Sequence, residues 1–178
     1  MIGVVVPGID GSGETHWQTS WERAEPEFTR FAPSSWSEPE RDDWRLALAA
    51  ALTAAGPRAI VVAHSLGCLA AVDALLDRLP AAGAFLVAPP DVDGPAYPEA
   101  AASFRGIRLA RLDVPALVVA SDDDPFSSSA ATARFADAIG AGVVSVGRFG
   151  HLNAASGLGD WPEGRRLLAA FAIGLGAD

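Results

Sequence analysis

The sequence predicts an α/β fold: a mostly parallel sheet of about six strands with helices packed on both of its faces. Three observations predict it. Short apolar runs alternate with helix-patterned segments from one end of the chain to the other, the rhythm of β–α–β units. Half of the 178 residues are hydrophobic, a share that suits a parallel sheet covered on both sides. Prolines stand at the seams: Pro7, Pro33, Pro80, Pro89, Pro90 and Pro125 fall where strands or helices should stop.

Taken in order, Gly3–Val6 is the first strand, and the glycine-rich loop Pro7–Gly13 follows it. A helix is expected over His16–Arg23, with Trp17 and Trp21 on its buried side. Phe28–Phe31 is the second strand, short and only partly apolar. A helix over Asp42–Ala55 leads to a third strand at Ile60–Ala63, and Ser65–Arg78 reads as the next helix. Ala84–Val87 is the fourth strand. Leu117–Ala120, the helix Ser128–Ile139, the strand Val143–Val146 and the helix Glu163–Leu175 complete the series. The segment Ala88 to Pro115 has room only for loops and one crossover helix, so no lid domain is expected. Because the first strand already carries a functional-looking loop, no antiparallel strands are expected ahead of it. With no repeat or low-complexity linker, one domain over residues 1–178 is the expectation.

Composition excludes several roles. The formal net charge of −9 argues against a nucleic-acid surface, which draws on clustered Lys and Arg. All 13 basic residues are Arg, which together with abundant Ala and Gly reads as GC-rich codon usage. Cys68 is the single cysteine, which rules out an internal disulfide framework and fits a reducing compartment. No charged leader or cleavage site accompanies the first strand, so no signal peptide is visible. The apolar stretches Leu46–Gly56 and Leu167–Ala177 are too short for a membrane span. A cytoplasmic protein with no membrane or nucleic-acid partner is expected.

The chemistry is carried by Ala63-His64-Ser65-Leu66-Gly67, directly after the apolar run Ala59–Val62. A strand turning sharply into a helix lifts a serine hydroxyl out of the backbone. Small residues are needed two before and two after the serine, because strand and helix backbones come close there. Ala63 and Gly67 meet the need, although Ala63 replaces the commoner glycine. An Asp cluster follows the fifth strand, and Gly150-His151 follows the sixth. Ser, then Asp, then His is the chain order of α/β-hydrolases.

A serine hydroxyl is a poor nucleophile at neutral pH and needs a base within hydrogen-bond reach. His151 is the candidate base. Asp124 would accept the other imidazole N–H and fix its tautomer. Asp122, Asp123 and Asp124 compete for that place; Asp124 lies furthest past the strand and precedes Pro125, which would fix the turn. The others are expected to be solvated loop acids or helix caps. An oxyanion would find donors in the backbone N–H groups of Leu66 and of Ile9, in the glycine-rich loop.

His64, next to the nucleophile, is expected to be packed and hydrogen-bonded. Cys68 is expected to be a buried thiol against the sheet, with no metal-ligand spacing around it. Trp17, Trp21 and Trp44 are assigned to the core. His16, Trp36, Asn153 and Trp161 are candidates for lining a substrate pocket.

The chain resembles the small serine hydrolases related to retinoblastoma-binding protein 9, their bacterial members in particular. The resemblance is carried by Val6-Pro7-Gly8, Ser12-Gly13, His16-Trp17-Gln18, Trp21-Glu22 and Asp43-Trp44, then by His64-Ser65-Leu66-Gly67-Cys68. It continues through Ser121-Asp122-Asp123-Asp124-Pro125-Phe126, Gly150-His151-Leu152-Asn153, Ser156-Gly157-Leu158-Gly159 and Trp161-Pro162-Glu163-Gly164. It implies a lidless α/β-hydrolase with a Ser65–Asp124–His151 triad and no metal or other cofactor. The expected activity is hydrolysis of a small ester, thioester or amide through an acyl-enzyme. No retinoblastoma-type partner is expected, since Leu66-x-Cys68 is followed by Ala70 where such a motif needs Glu. The competing reading is a catalytically silent binding or scaffold protein on the same fold. A nucleotide-binding domain fits poorly, because Gly8-x-x-Gly11-x-Gly13 matches neither phosphate-loop pattern.

Overall fold

The computed structural model describes residues 1–176; Ala177, the end of the second apolar stretch, and Asp178 lie outside the described residues. The apolar runs become strands β1 (Gly3–Val6), β2 (Phe28–Arg30), β3 (Ile60–His64), β4 (Gly83–Val87), β5 (Ala116–Ala120) and β6 (Gly142–Ser145). They form one sheet in the order β2-β1-β3-β4-β5-β6, and every neighbouring pair is parallel. The expectation of a mostly parallel sheet thus tightens to an all-parallel one.

Alternation along the strands sends side chains to two separate layers. Val4 and Val6 of β1 and Val61 of β3 face one core, with Trp44, Leu48 and Leu52 of α2 (Arg41–Ala55), Leu69 of α3 (Leu66–Leu76), and Phe135 and Ile139 of α4 (Ser129–Ile139). Val5 and Val62 face the other core, with Trp17 and Trp21 of α1 (Trp17–Ala24) and Leu168 and Ala172 of α5 (Pro162–Leu175). The strands of β1, β3 and β4 are buried throughout, which is why they read as unbroken apolar runs. Arg41 grips Asp73 with two hydrogen bonds of 3.0 and 2.6 Å and so ties α2 to α3.

Between Ala88 and Pro115 the crossover helix expected from sequence is a 3-10 segment, Glu99–Phe104. Ala101 and Phe104 are buried, and Ser103 Oγ donates to the Pro39 carbonyl at 3.1 Å, which docks the segment on the chain ahead of α2. No separate lid domain is formed among the described residues. No helix among them is long and apolar enough to cross a membrane.

The chain moves outward from β1 to β2, then returns to β3 on the other side of β1. The C-terminal ends of β1 and β3 therefore lie side by side, Val6 paired with Ala63. Loops leaving that edge open into a crevice at the switch point of the sheet.

Candidate active site

Ser65 stands between β3 and α3 with φ 55° and ψ −128°, a conformation costly for a side-chain-bearing residue. The helix expected from Ser65 consequently begins at Leu66. Crowding enforces the small neighbours: a Cβ on Gly67 would lie 2.2 Å from the Val6 carbonyl oxygen, and one on Gly8 would lie 2.8 Å from Ser65 Cβ. Ala63 is fully buried at the end of the strand.

His151, on the loop after β6, places Nε2 2.8 Å from Ser65 Oγ. Both Asp124 oxygens lie 2.9 Å from His151 Nδ1. Asp124 Oδ1 also accepts the Phe126 N–H at 2.9 Å, closing the turn around Pro125. Three residues separated by up to 86 positions in the chain thus meet in one hydrogen-bonded line, with His151 and Asp124 both buried.

A cavity of about 650 Å³ opens in front of Ser65, with Ile9, Leu66, Tyr97, Phe126, His16 and Asn153 on its walls. The glycine-rich loop forms one side of it. Its Asp10 N–H is used by the Trp36 carbonyl at 2.9 Å and its Gly11 N–H by the Gly8 carbonyl at 3.1 Å. The Ile9 and Leu66 N–H groups have no such partner among the described residues. They are the two that sequence reasoning assigned to the oxyanion.

His16 lines the cavity and also caps α1, its Nδ1 accepting the Gln18 N–H at 3.2 Å. Burial, with the charges of Arg30 and His151 adding to it, lowers its pKa to about 4. Its Nε2 is buried without a partner. His64 is buried too, and its Nε2 donates to the His151 carbonyl at 2.9 Å. Burial holds its pKa well below the ordinary value. Cys68 donates its thiol to the Val87 carbonyl at 3.3 Å, and burial pushes its pKa up.

Two of the four pocket candidates are elsewhere. Trp36 stacks edge-on against Phe31 and Trp44, at 5.2 and 5.7 Å, and supports the Asp10–Gly11 turn from behind. Trp161, with a φ of 46°, is buried beside Trp17 and Trp21, at 5.1 and 5.9 Å, in the layer that α1 and α5 form with the sheet. Asp122 and Asp123 are not merely solvated acids either. Asp122 accepts from Ser145 Oγ at 2.6 Å, and Asp123 accepts the Gly150 N–H at 2.8 Å.

Gln18 was missed as a positioning residue. It is fully buried and bridges strand ends to loop: its amide donates to the Val62 carbonyl at 2.9 Å, and its oxygen accepts from Ser12. In the sequence it stood out only as part of the His16-Trp17-Gln18 match and as a polar residue adjoining Trp17 on an amphipathic helix. Among the described residues no group of three or more His, Cys, Asp or Glu is arranged to hold a metal ion.

The serine hydrolase family model matches residues 3–170. A solved structure from Pectobacterium atrosepticum, described as a YdeN-like hydrolase, is 34% identical with a TM-score of 0.86; the match covers 98% of this chain and 91% of that one. The ydeN gene product of B. subtilis is 22% identical, with a TM-score of 0.78 over 96% of this chain and 98% of that one. The esterase RhEst1 from Rhodococcus shares the fold at 18% identity and a TM-score of 0.69, over 98% and 91%. No curated protein matches the chain. A family match over nearly the whole length, on an all-parallel α/β-hydrolase sheet, makes the conclusion direct: the chain belongs to the serine hydrolase family and is a hydrolase.

Proposed function

We propose that the protein cleaves a small ester, thioester or amide through an acyl-enzyme on Ser65, with His151 as base and Asp124 as its orienting acid. The observation that carries this reading is the hydrogen-bonded line itself, Ser65 Oγ to His151 Nε2 at 2.8 Å and His151 Nδ1 to Asp124 at 2.9 Å. With Nδ1–H donated to the carboxylate, Nε2 is left to accept the serine proton. As Oγ attacks the acyl carbon, that proton passes to Nε2, and the carbonyl oxygen takes up negative charge. The N–H groups of Ile9 and Leu66 receive this oxyanion. His151 then returns the proton to the departing alcohol, thiol or amine. Water repeats the sequence on the acyl-enzyme and restores Ser65.

The open cavity of about 650 Å³, with no lid domain over it, suits a compact acyl substrate rather than a long lipid chain. Within the family we place the chain beside the retinoblastoma-binding protein 9 relatives, without the retinoblastoma-type partner. Its lone thiol, Cys68, is buried and fits a cytoplasmic setting. A fluorophosphonate probe should label the wild type and leave Ser65→Ala unlabelled. His151→Ala and Asp124→Asn should slow hydrolysis of p-nitrophenyl acetate in proteins that remain folded. Equal labelling of Ser65→Ala would overturn the assignment.

A further inference from the structure

The residue before the nucleophile and the residue before the acid both grip the backbone that carries the base. His64, adjoining Ser65, places Nε2 2.9 Å from the carbonyl oxygen of His151. A carbonyl only accepts, so Nε2 carries the proton and donates it. Asp123, adjoining Asp124, accepts the N–H of Gly150 at 2.8 Å, one residue before His151. Ser121 reinforces this side: its Oγ donates to Asp123 Oδ1 at 2.9 Å and accepts the Phe149 N–H at 2.9 Å.

The gripped loop does not hold itself. Leu152 has φ of 50°, a left-handed backbone that costs a residue with a side chain and persists only where its surroundings impose it. Trp17 Nε1 fixes the Leu152 carbonyl at 2.8 Å just beyond His151. Within the loop, therefore, the Phe149–Gly150 peptide, ahead of His151, is fixed from the acid's loop. The one on its C-terminal side is fixed from the nucleophile's strand.

We propose that His64 and Asp123 are positioning residues that hold the triad at its reactive spacing. One tether joins the His151 carbonyl to the residue before the nucleophile; the other joins the Gly150 N–H, one residue upstream, to the residue before the acid. Movement of β3 or of the loop after β5 thus carries the imidazole with it. Neither side chain exchanges a proton with substrate. The inference rests on the triad reading above and adds what keeps the triad assembled.

The test is steady-state hydrolysis of p-nitrophenyl acetate by wild type, Ser65→Ala, Asp123→Ala, Asp123→Asn, His64→Phe and His64→Gln. Misplacing a base by about 1 Å costs up to about a hundredfold in rate. Asp123→Ala and His64→Phe should therefore lower kcat by about tenfold to a hundredfold, with KM within about twofold of wild type. Asp123→Asn keeps an acceptor and His64→Gln keeps a donor, so both should recover most of the lost kcat. The double variant His64→Phe/Asp123→Ala should lose less than the product of the single losses, because both tethers hold one loop. Should His64→Phe fail to fold, Asp123→Ala, on an exposed acid, still decides the matter. Unchanged kcat in folded Asp123→Ala, or no recovery in Asp123→Asn, overturns the proposal. Wild-type turnover that persists in Ser65→Ala would instead overturn the triad reading beneath it.

Discussion

His16 is a polar side chain whose burial has a cost that pH can expose. Free in an unfolded chain it protonates near 6.5, whereas in the fold it stays neutral down to about 4. Between those pH values the unfolded chain holds a proton that the folded chain does not. Stability is therefore complete above about pH 6.5 and is lost as the pH falls toward 4. The gap corresponds to about 3 kcal/mol, and His64, also lowered by burial, acts in the same direction. Asp123 is held below its ordinary carboxylate value by the Gly150 N–H and then Ser121, so its contribution fades only at more acidic pH. Urea midpoints should fall steadily from pH 7 to pH 4. His16→Asn, which keeps the helix cap, should flatten that decline. A midpoint independent of pH over this range would contradict the burial argument. The sequence offered His16 only as a pocket candidate; its capping of α1 through Nδ1 is seen only in the fold.

The nucleophile elbow is an element-scale device, because β1 and the start of α3 occupy the space around one turn. A Cβ on Gly67 would meet the Val6 and Pro7 carbonyl oxygens at 2.2 and 2.6 Å. These are backbone atoms of a buried strand and cannot move aside. Gly67→Ala should cost more than about 3 kcal/mol in thermal or urea unfolding. On Gly8 the added Cβ meets Ser65 itself, at 2.8 Å from Cβ and 3.2 Å from Oγ. Gly8→Ala should therefore cost mainly rate, about tenfold or more in kcat/KM, with a smaller loss of melting temperature. The elbow was readable because strand, small residues and serine are contiguous in the chain. β1, β3 and β4 were readable because burial on both faces leaves uniform apolar runs, whereas in β2 only Phe28 is buried. The 3-10 segment Glu99–Phe104 carries no such pattern, since contacts with Pro39 and the α2 side define it. Trp36 and Trp161 were open between pocket and packing, with packing favoured, and both are packed; a tryptophan near a site loop says nothing of which layer its ring enters.

At the scale of the whole molecule, two cores share one sheet and the candidate site sits at its edge. Trp36 and Trp44 belong to one layer, and Trp17, Trp21 and Trp161 to the other. The tethers on His151 escaped sequence reading because side-chain bonds to backbone leave no spacing rule, although the three residues of the hydrogen-bonded line could be named. Neither layer can lose its packing without stripping cover from strands the other layer needs, since Val4 and Val6 face one side of β1 and Val5 the other. We expect one cooperative unit. Tryptophan fluorescence and far-UV ellipticity should give coincident urea transitions. Trp161→Ala removes a buried ring from the α1–α5 layer and should cost about 3–5 kcal/mol, moving both probes together. Because Trp161 does not line the cavity, kcat/KM of the folded variant should stay within a few-fold of wild type. Two separated transitions would show that the layers unfold independently, and a loss of rate far beyond that of stability would return Trp161 to the substrate pocket.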